Sequence, residues 1–414
     1  MTISAASTPG RAALTAPLRR RRAAVYVFML SVGVGLSSFI VRTPAVRDLV
    51  DASTGQMGLI LFGISVGSMT GILCSAGLVR RFGARRPVLI GGSSFVAGLA
   101  LLAVMAGSGQ GFGVFVGLVG IGLGFGLAEI AVNIEGADIE RESGRSVLPV
   151  LHGCYSLGTV LGALAGIGLT AIDFPVLVHL LVVATLAGGA MLWAVPRIQA
   201  STGRHEAGGA DSPSVGAQLA VWKQRRVVFL GLIVLALALA EGAAGDWLPL
   251  IMVDGHGATA AVGSIVFAGF ALAMTIGRFS GAPLLARFGK AAVLRVSAIV
   301  SAAGIALVVF SDSVVVAGLA VLLWGLGAAL GFPVTLSAAG ESDDPTTTVG
   351  AVAAAGYVAF LVGPPLLGFL GEHYGLRGAM IVVLVVVAGA SFLTSAAKTP
   401  RAVHPTPEGI QPLA

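Results

Sequence analysis

Three ionisable side chains fall inside long apolar stretches of the chain, where a charged group needs a specific reason to be present. Glu241 lies about seven residues from the end of one stretch, while Glu129 and His152 lie at similar depth on two consecutive stretches. Intramembrane carboxylates often mark ion or proton pathways, and histidine titrates near physiological pH. These groups are therefore predicted to exchange protons or to bind a polar solute. The structural alternatives are that Glu241 only bonds neighbouring helices and that Glu129 and His152 form a static pair.

Four further polar or aromatic side chains extend this set. Asn133 follows Glu129 by one helical turn and is expected to make an interhelical hydrogen bond. Trp324 lies well inside its stretch and is predicted to stack on a sugar ring or an aromatic solute; a core-facing or lipid-facing position is the alternative. Tyr155 and Tyr357 are expected to offer hydroxyl groups to a solute.

Other polar residues in the same stretches favour structural roles. Arg278 is predicted to extend toward the end of its helix and to bond the loop 284–290. Asp246 and Trp247 are expected to close their helix at the membrane surface, with Trp247 as an interfacial anchor. Stacking of Trp247 on a solute is the alternative.

Composition places these residues in a membrane protein. The chain has 414 residues, of which 56% are hydrophobic and only 11% charged, which is too little charge to cover a soluble domain. The apolar runs are continuous and lack the alternation of a barrel strand. Twelve runs are close to the roughly 20 residues that span a bilayer, and we number these predicted spans 1 to 12: 23–42, 57–79, 88–106, 112–134, 148–171, 176–195, 227–248, 261–283, 292–310, 314–338, 349–370 and 378–397.

The two halves of the chain repeat each other. Gly58 and the apolar residues after it recur 205 residues later at Gly263, and Met69 with Thr70 recurs at the same offset. Duplicated halves of this kind are typical of carriers that expose a midplane site to each side in turn. The fold class predicted is all-α and integral to the membrane, with twelve transmembrane helices in two six-helix bundles.

The basic residues predict the orientation. If the twelve spans alternate, all 25 Lys and Arg residues except Arg42, Arg47, Arg278 and Arg377 fall on the side of both termini. By the positive-inside rule that side is cytoplasmic, so the net charge of +6 reflects topology rather than nucleic-acid binding. The predicted units are a cytoplasmic tail 1–22 leading into an uncleaved first span, bundles 23–195 and 227–397, a cytoplasmic linker 196–226 and a cytoplasmic tail 398–414.

The short basic loops 78–86, between spans 2 and 3, and 284–290, between spans 8 and 9, resemble the loop motif of the major facilitator superfamily. The resemblance to this family extends over nearly the whole chain. Glycine permits a tight turn in each loop, and the arginines beside it are expected to bond helix-end carbonyls and lipid headgroups. The loop between spans 2 and 3 and its copy between spans 8 and 9 contain Arg80, Arg81, Gly83, Arg85 and Arg86, then Arg287 and Gly289.

The chain departs from that family pattern at one position in each loop. The family usually has an acidic residue where this chain has Arg80 and, in the second copy, Ala286. Three other stretches, 129–145, 151–158 and 241–247, look like a fucose-permease-like branch. The resemblance implies a secondary transporter of a small solute, with spans 1, 4, 7 and 10 around a central cavity. Pro333, Pro364 and Pro365 are expected to kink spans 10 and 11.

The function predicted is secondary active transport by alternating access, as proton-coupled uptake of a sugar or another small polar compound. Efflux of drugs or metabolites is the first alternative, sodium coupling a second and a transport-inactive sensor a third. Metal-protease and phosphate-loop motifs are absent from the sequence, so neither enzymatic activity nor a cofactor or metal is expected. The expected partners are the solute, protons and the lipid of the cytoplasmic membrane, with the protein acting as a monomer.

Overall fold

The computed structural model describes residues 15–144, 147–204 and 220–398. The predicted tails before residue 15 and after residue 398, Arg145 and the central part of the predicted linker lie outside this range. Within it, ten helices are long and apolar enough to cross a membrane. Their bounds are Ala16–Ile40, Thr54–Phe82, Arg85–Gly107, Gly111–Ser143, Leu148–Ala171, Val176–Ala194, Arg225–Leu250, Ala260–Phe310, Val314–Ala328 continued by Gly331–Ala339, and Pro345–Leu393.

Two of these helices each contain two membrane spans. Ala260–Phe310 has 51 residues and would be about 75 Å long if it were straight, more than twice the roughly 30 Å of a hydrocarbon core. It bends at Gly289, where φ is 74°, and Pro345–Leu393 bends in the same way at Gly375, where φ is 73°. Positive φ costs glycine little because it has no Cβ. Division at these glycines gives spans 8 and 9 and spans 11 and 12, which confirms the predicted all-helical membrane fold.

Several element boundaries differ from the predicted ones. Span 1 begins at Ala16, so part of the predicted N-terminal tail is helical. Span 7 runs from Arg225 to Leu250 and continues into a π-helical turn, Ile251–Gly255. A short helix, Thr43–Leu49, follows span 1. Span 10 is interrupted just before Pro333, as expected, whereas Pro364 and Pro365 lie within a continuous helix.

Glycine allows the helices of each bundle to approach closely. A Cβ atom added to Gly158 of span 5 would lie 2.2 Å from the carbonyl oxygen of Leu30 in span 1, and one added to Gly33 would lie 2.3 Å from that of Tyr155. In the second bundle, a Cβ on Gly304 would lie 2.4 Å from the backbone nitrogen of Trp324. Such contact of small residues replaces the hydrophobic driving force that is missing between helices in lipid.

The two bundles meet along two pairs of spans: span 2 packs against span 11, and span 5 packs against span 8. We call the face that carries residues 15 and 398, where the described part of the chain begins and ends, and the arginine-rich loops the basic face, and the opposite face the distal face. The space between the bundles is bordered by spans from both halves, which positions the candidate site.

Candidate functional site

Span 7 presents one narrow, half-buried stripe in its otherwise buried distal part. Between residues 236 and 252, every residue is buried except Glu241, Gly242, Gly245 and Asp246. At 100° per residue these four positions fall within an arc of about 140°, on one side of the helix. A Cβ atom on Gly245 would meet no atom within 4 Å, so this side faces open space.

Glu241 forms an ion pair with a residue of the neighbouring span. Nη2 of Arg278 donates to Oε1 of Glu241 across 2.7 Å, and the two side chains are 41% and 26% exposed. The prediction that Arg278 bonds the loop 284–290 is therefore wrong. A carboxylate within reach inside the span satisfies the guanidinium better than a carbonyl farther along the helix, because charge-assisted bonds are the stronger ones.

The first bundle contributes a second group of ionisable residues to the same space. Glu129 on span 4 and His152 on span 5 both lie close enough to Arg278 for electrostatic interaction, and Tyr357 on span 11 lies similarly close to Glu129. Tyr155 is near Glu129, Arg278 and Glu241. The structure thus gathers these predicted site residues from spans 4, 5, 7, 8 and 11 at the boundary between the bundles.

Two predicted contacts of the first bundle are not made. Glu129 and His152 form no hydrogen bond or ion pair with each other; both are instead near Arg278, which projects between the two bundles. Asn133 is half-buried, and we find no hydrogen bond between its amide and any of the residues the structure describes, so the expected interhelical bond is absent. The hydroxyls of Tyr155 and Tyr357 likewise have no described partner and remain open to a ligand. The ring centroid of Tyr155 lies 5.9 Å from that of Phe125, and the ring centroid of Tyr357 lies 6.1 Å from that of Phe332.

The two tryptophans have packing roles. Trp324 is fully buried, its Nε1 donates to the carbonyl oxygen of Ala240 at 3.2 Å, and its ring meets Phe270 edge-on. It therefore has the core-facing position that the sequence left open, and it supports span 7 directly behind Glu241. Trp247 is 1% exposed, so the predicted interfacial anchor is wrong. Span 7 continues beyond it to Leu250 and through the π-helical turn, so Asp246 lies within the helix rather than at its end.

At the distal face the bundles touch directly. A Cβ atom on Gly58 of span 2 would lie 2.8 Å from the Cα of Gly368 in span 11, so the two backbones are in contact. One turn away, the backbone N–H of Gly55 donates to Glu372 at 2.8 Å. The hydroxyl of Ser264 donates to the carbonyl oxygen of Val41 at 3.2 Å.

An ion pair between Arg47 and Asp254 adds to this distal closure. Arg47 follows span 1, Asp254 lies in the π-helical turn after span 7, and Arg47 also bonds Asp48 at 2.8 Å. Burial alone would lower the pKa of Arg47, but the bonds to both carboxylates outweigh burial and raise the pKa. Arg47 is therefore charged at any physiological pH.

At the basic face, each ion pair that we find among the described residues joins two residues of the same bundle. Arg21 of span 1 donates to Glu135, Asp138 and Glu142 of span 4 at 2.8 to 2.9 Å, and Glu135 is fully buried. In the second bundle Lys290 pairs with Glu341 at 2.6 Å. The inter-bundle hydrogen bonds and ion pairs that we find among the residues the structure describes lie at the distal face or mid-membrane, so bonds of this kind hold the bundles together away from the basic face.

The basic loops have the expected turn geometry, but only one of their arginines is found on a carbonyl oxygen near a helix end among the described residues. Gly83 and Gly289 have φ values of 75° and 74°. Arg85 donates to the carbonyl oxygen of Ile198 at 2.7 Å, close to the end of span 6. The other arginines either stack on a phenylalanine or point outward: Arg81 and Arg86 stack on Phe82, Arg287 stacks on Phe288, and Arg80 is exposed.

Comparison with known proteins identifies the architecture. The model of the Major Facilitator Superfamily matches residues 146–353 and 248–413. An "uncharacterized MFS-type transporter" of Yersinia pestis is 26% identical over 370 residues, which are 87% of this chain and 92% of the relative.

Two solved structures share the fold over almost their whole length. A mutant of the nucleoside transporter NupG has a TM-score of 0.77 at 11% identity, covering 92% of this chain and 99% of its own. The Escherichia coli fucose:proton symporter FucP has a TM-score of 0.64 at 18% identity, covering 91% and 98%. At these identities the likeness shows the fold alone.

Proposed function

The chain belongs to the major facilitator superfamily, and we propose that it is a proton-coupled secondary transporter that takes up a sugar or another small polar solute by alternating access. The observation that carries this proposal is the Arg278–Glu241 ion pair, which faces Glu129 across the boundary between the two bundles. One guanidinium and two carboxylates from opposite bundles form a charge cluster whose balance depends on protons.

The charge balance suggests how proton binding drives the conformational change. With Arg278 charged and both Glu129 and Glu241 ionised, the cluster carries one uncompensated negative charge. Enclosing an unpaired charge in a low-dielectric space is costly, so the cavity resists closure at the basic face. One bound proton removes the imbalance within this cluster.

Arg278 links this protonation to bundle movement. A proton on Glu241 breaks its ion pair with Arg278, which then turns toward Glu129 on the opposite bundle. This new attraction joins spans 4 and 8 and favours closing the basic side while the distal contacts separate. His152, Tyr155 and Tyr357 are placed to bind the polar groups of the solute in the same cavity.

The test uses purified protein in proteoliposomes that contain a pH dye, challenged with sugars, organic acids and organic cations. We expect one solute class to produce a pH change, and Glu241→Gln and Glu129→Gln each to reduce it by at least about tenfold. Asp312→Asn is the matched control: its side chain is 95% exposed and pairs with Arg377 at the distal face, so proton movement should be unchanged.

The same experiment tests the alternatives. Solute flux without any proton movement would contradict proton coupling, and dependence on a sodium gradient would replace it with sodium coupling. Outward movement of solute against inward protons would establish efflux instead of uptake. Full solute flux in the Glu129→Gln and Glu241→Gln double variant would overturn the proposed mechanism.

The proposed orientation follows from the arginine-rich loops. We place the basic face in the cytoplasm, the protein in the cytoplasmic membrane, and a monomer as the transporting unit. The conformation described here is then inward-facing, with the distal side closed.

A further inference from the structure

Asp246 is a carboxylate that the proton mechanism does not use. It lies five residues after Glu241, about 7.5 Å farther along the helix toward the distal face. Residues 247 to 252 beyond it are all buried. Asp246 is therefore the last position of span 7 that is not fully buried, at the distal end of the space between the bundles.

Asp246 lacks a counter-charge. It makes no hydrogen bond or ion pair with any of the residues the structure describes, and neither of its oxygens is sealed from water. No charged side chain among those residues is close enough to act on it, whereas Glu241 is already neutralised by Arg278. An unpaired carboxylate in a cavity that must close requires a positive partner supplied from outside.

We propose that Asp246 binds the positively charged nitrogen of the transported solute and makes the cavity select such solutes over organic anions. This inference rests on the proposed transport function and names its substrate class: small polar compounds that carry an amine or ammonium group. After one proton has balanced Glu129, Glu241 and Arg278, Asp246 leaves a single negative charge. A solute with one positive charge brings the closed cavity to neutrality.

An anionic solute fits this cavity poorly. Arg278 is the one cation of the described cluster, and it is already paired with Glu241. A carboxylate or phosphate would meet the negative potential of Asp246 and Glu129. Clefts lined by one sign of charge commonly change the local concentration of ions about tenfold or more.

The charge at Asp246 can be measured without a known substrate. In a background with Cys74→Ala and Cys154→Ala, Gly245→Cys places a thiol in open space beside Asp246. Its reaction rates with two thiosulfonate reagents, one carrying a quaternary ammonium group and the other a sulfonate, are measured by mass spectrometry. Each rate is divided by the rate of that reagent with free cysteine.

We expect the ammonium reagent to react about tenfold faster than the sulfonate, and Asp246→Asn to reduce this ratio by about fivefold or more. Asp246→Glu should retain the ratio, and Asp312→Asn should leave it unchanged. His152→Cys provides a second reporter on the opposite wall, where Asp246→Asn should change the ratio in the same direction.

A ratio that does not respond to Asp246→Asn would overturn the proposal, because it would mean that the carboxylate is neutral or faces elsewhere. Thiols at 245 and 152 that react with neither reagent would also overturn it, because the cavity would not admit solutes of this size. The measurement involves no transport, so its failure is distinct from failure of the proton-coupling experiment.

Discussion

The distal and basic ends of the molecule are held together in different ways. At the distal end the contacts cross between the bundles: Gly58 touches Gly368, and Arg47 pairs with Asp254. At the basic end, the triple ion pair of Arg21 lies entirely within the first bundle. We therefore expect the contacts at the distal end to control which side is closed, and the Arg21 cluster to control the stability of the first bundle.

This contrast separates conformation from stability. A substitution at the distal end should change the balance between inward-facing and outward-facing forms while each bundle remains folded. A substitution in the Arg21 cluster should instead destabilise the first bundle and leave that conformational balance unchanged. Each of the following variants tests one side of that separation, in order of decreasing expected effect.

Arg21→Ala should produce the largest loss of stability. It leaves Glu135, which is fully buried, without its cationic partner, and breaking a buried ion pair costs about 3 to 5 kcal/mol. We expect a clearly lower melting temperature in detergent, with no change in which face admits a thiol reagent. Arg20→Ala is the control, since Arg20 is exposed. If Arg21→Ala opened the distal face instead, the basic end would also control conformation.

Gly58→Leu should open the distal end. The new side chain would overlap the backbone of span 11, where even a Cβ atom lies 2.8 Å from the Cα of Gly368. Overpacking costs about 1 to 3 kcal/mol, which the protein avoids by separating the bundles. The distance between spin labels on the distal ends of spans 2 and 11 should increase. Gly189→Leu, at a position with no atom within 4 Å, should leave that distance unchanged, and the same increase in both variants would contradict a specific contact.

Asp254→Asn should have the smallest effect. The pair with Arg47 is only partly buried, with side chains 16% and 30% exposed, and such pairs contribute about 1 kcal/mol or less. We expect up to about a fivefold shift toward the outward-facing form, measured by the same spin-label distance. High salt should produce a similar shift in the unmodified protein. A variant that behaves like the unmodified protein at low salt would show that backbone contact alone closes the distal end.

The architecture could be predicted from local features of the sequence. Continuous apolar runs locate the spans because backbone polar groups in lipid must be bonded within a helix. The basic loops and the 205-residue repeat separate the halves, and Gly83 and Gly289 mark turns that need positive φ. The family inferred from these loops is confirmed by the match to its model.

Which way individual side chains point was harder to predict. The apolar run of span 7 ends at residue 248, which predicts a helix end at Asp246 and Trp247, whereas the helix continues to Leu250 and through a π-helical turn. The partner of Arg278 could not be predicted either. The depth of a residue along a helix does not say how the helix is rotated about its axis, and therefore not which neighbour the side chain faces. A second acidic residue in the same apolar stretch, five positions after Glu241, was the signal that could have marked Asp246 as a candidate site residue.

The contact between Gly58 and Gly368 has a consequence for the speed of the cycle. Neither residue has side-chain rotamers, so separating the two backbones at this point requires no repacking of interlocked side chains. The two surfaces can separate and return to the same register, because no side chains interdigitate at this contact. The distal side should therefore open at a rate governed by the rotation of whole bundles and by the charges they carry.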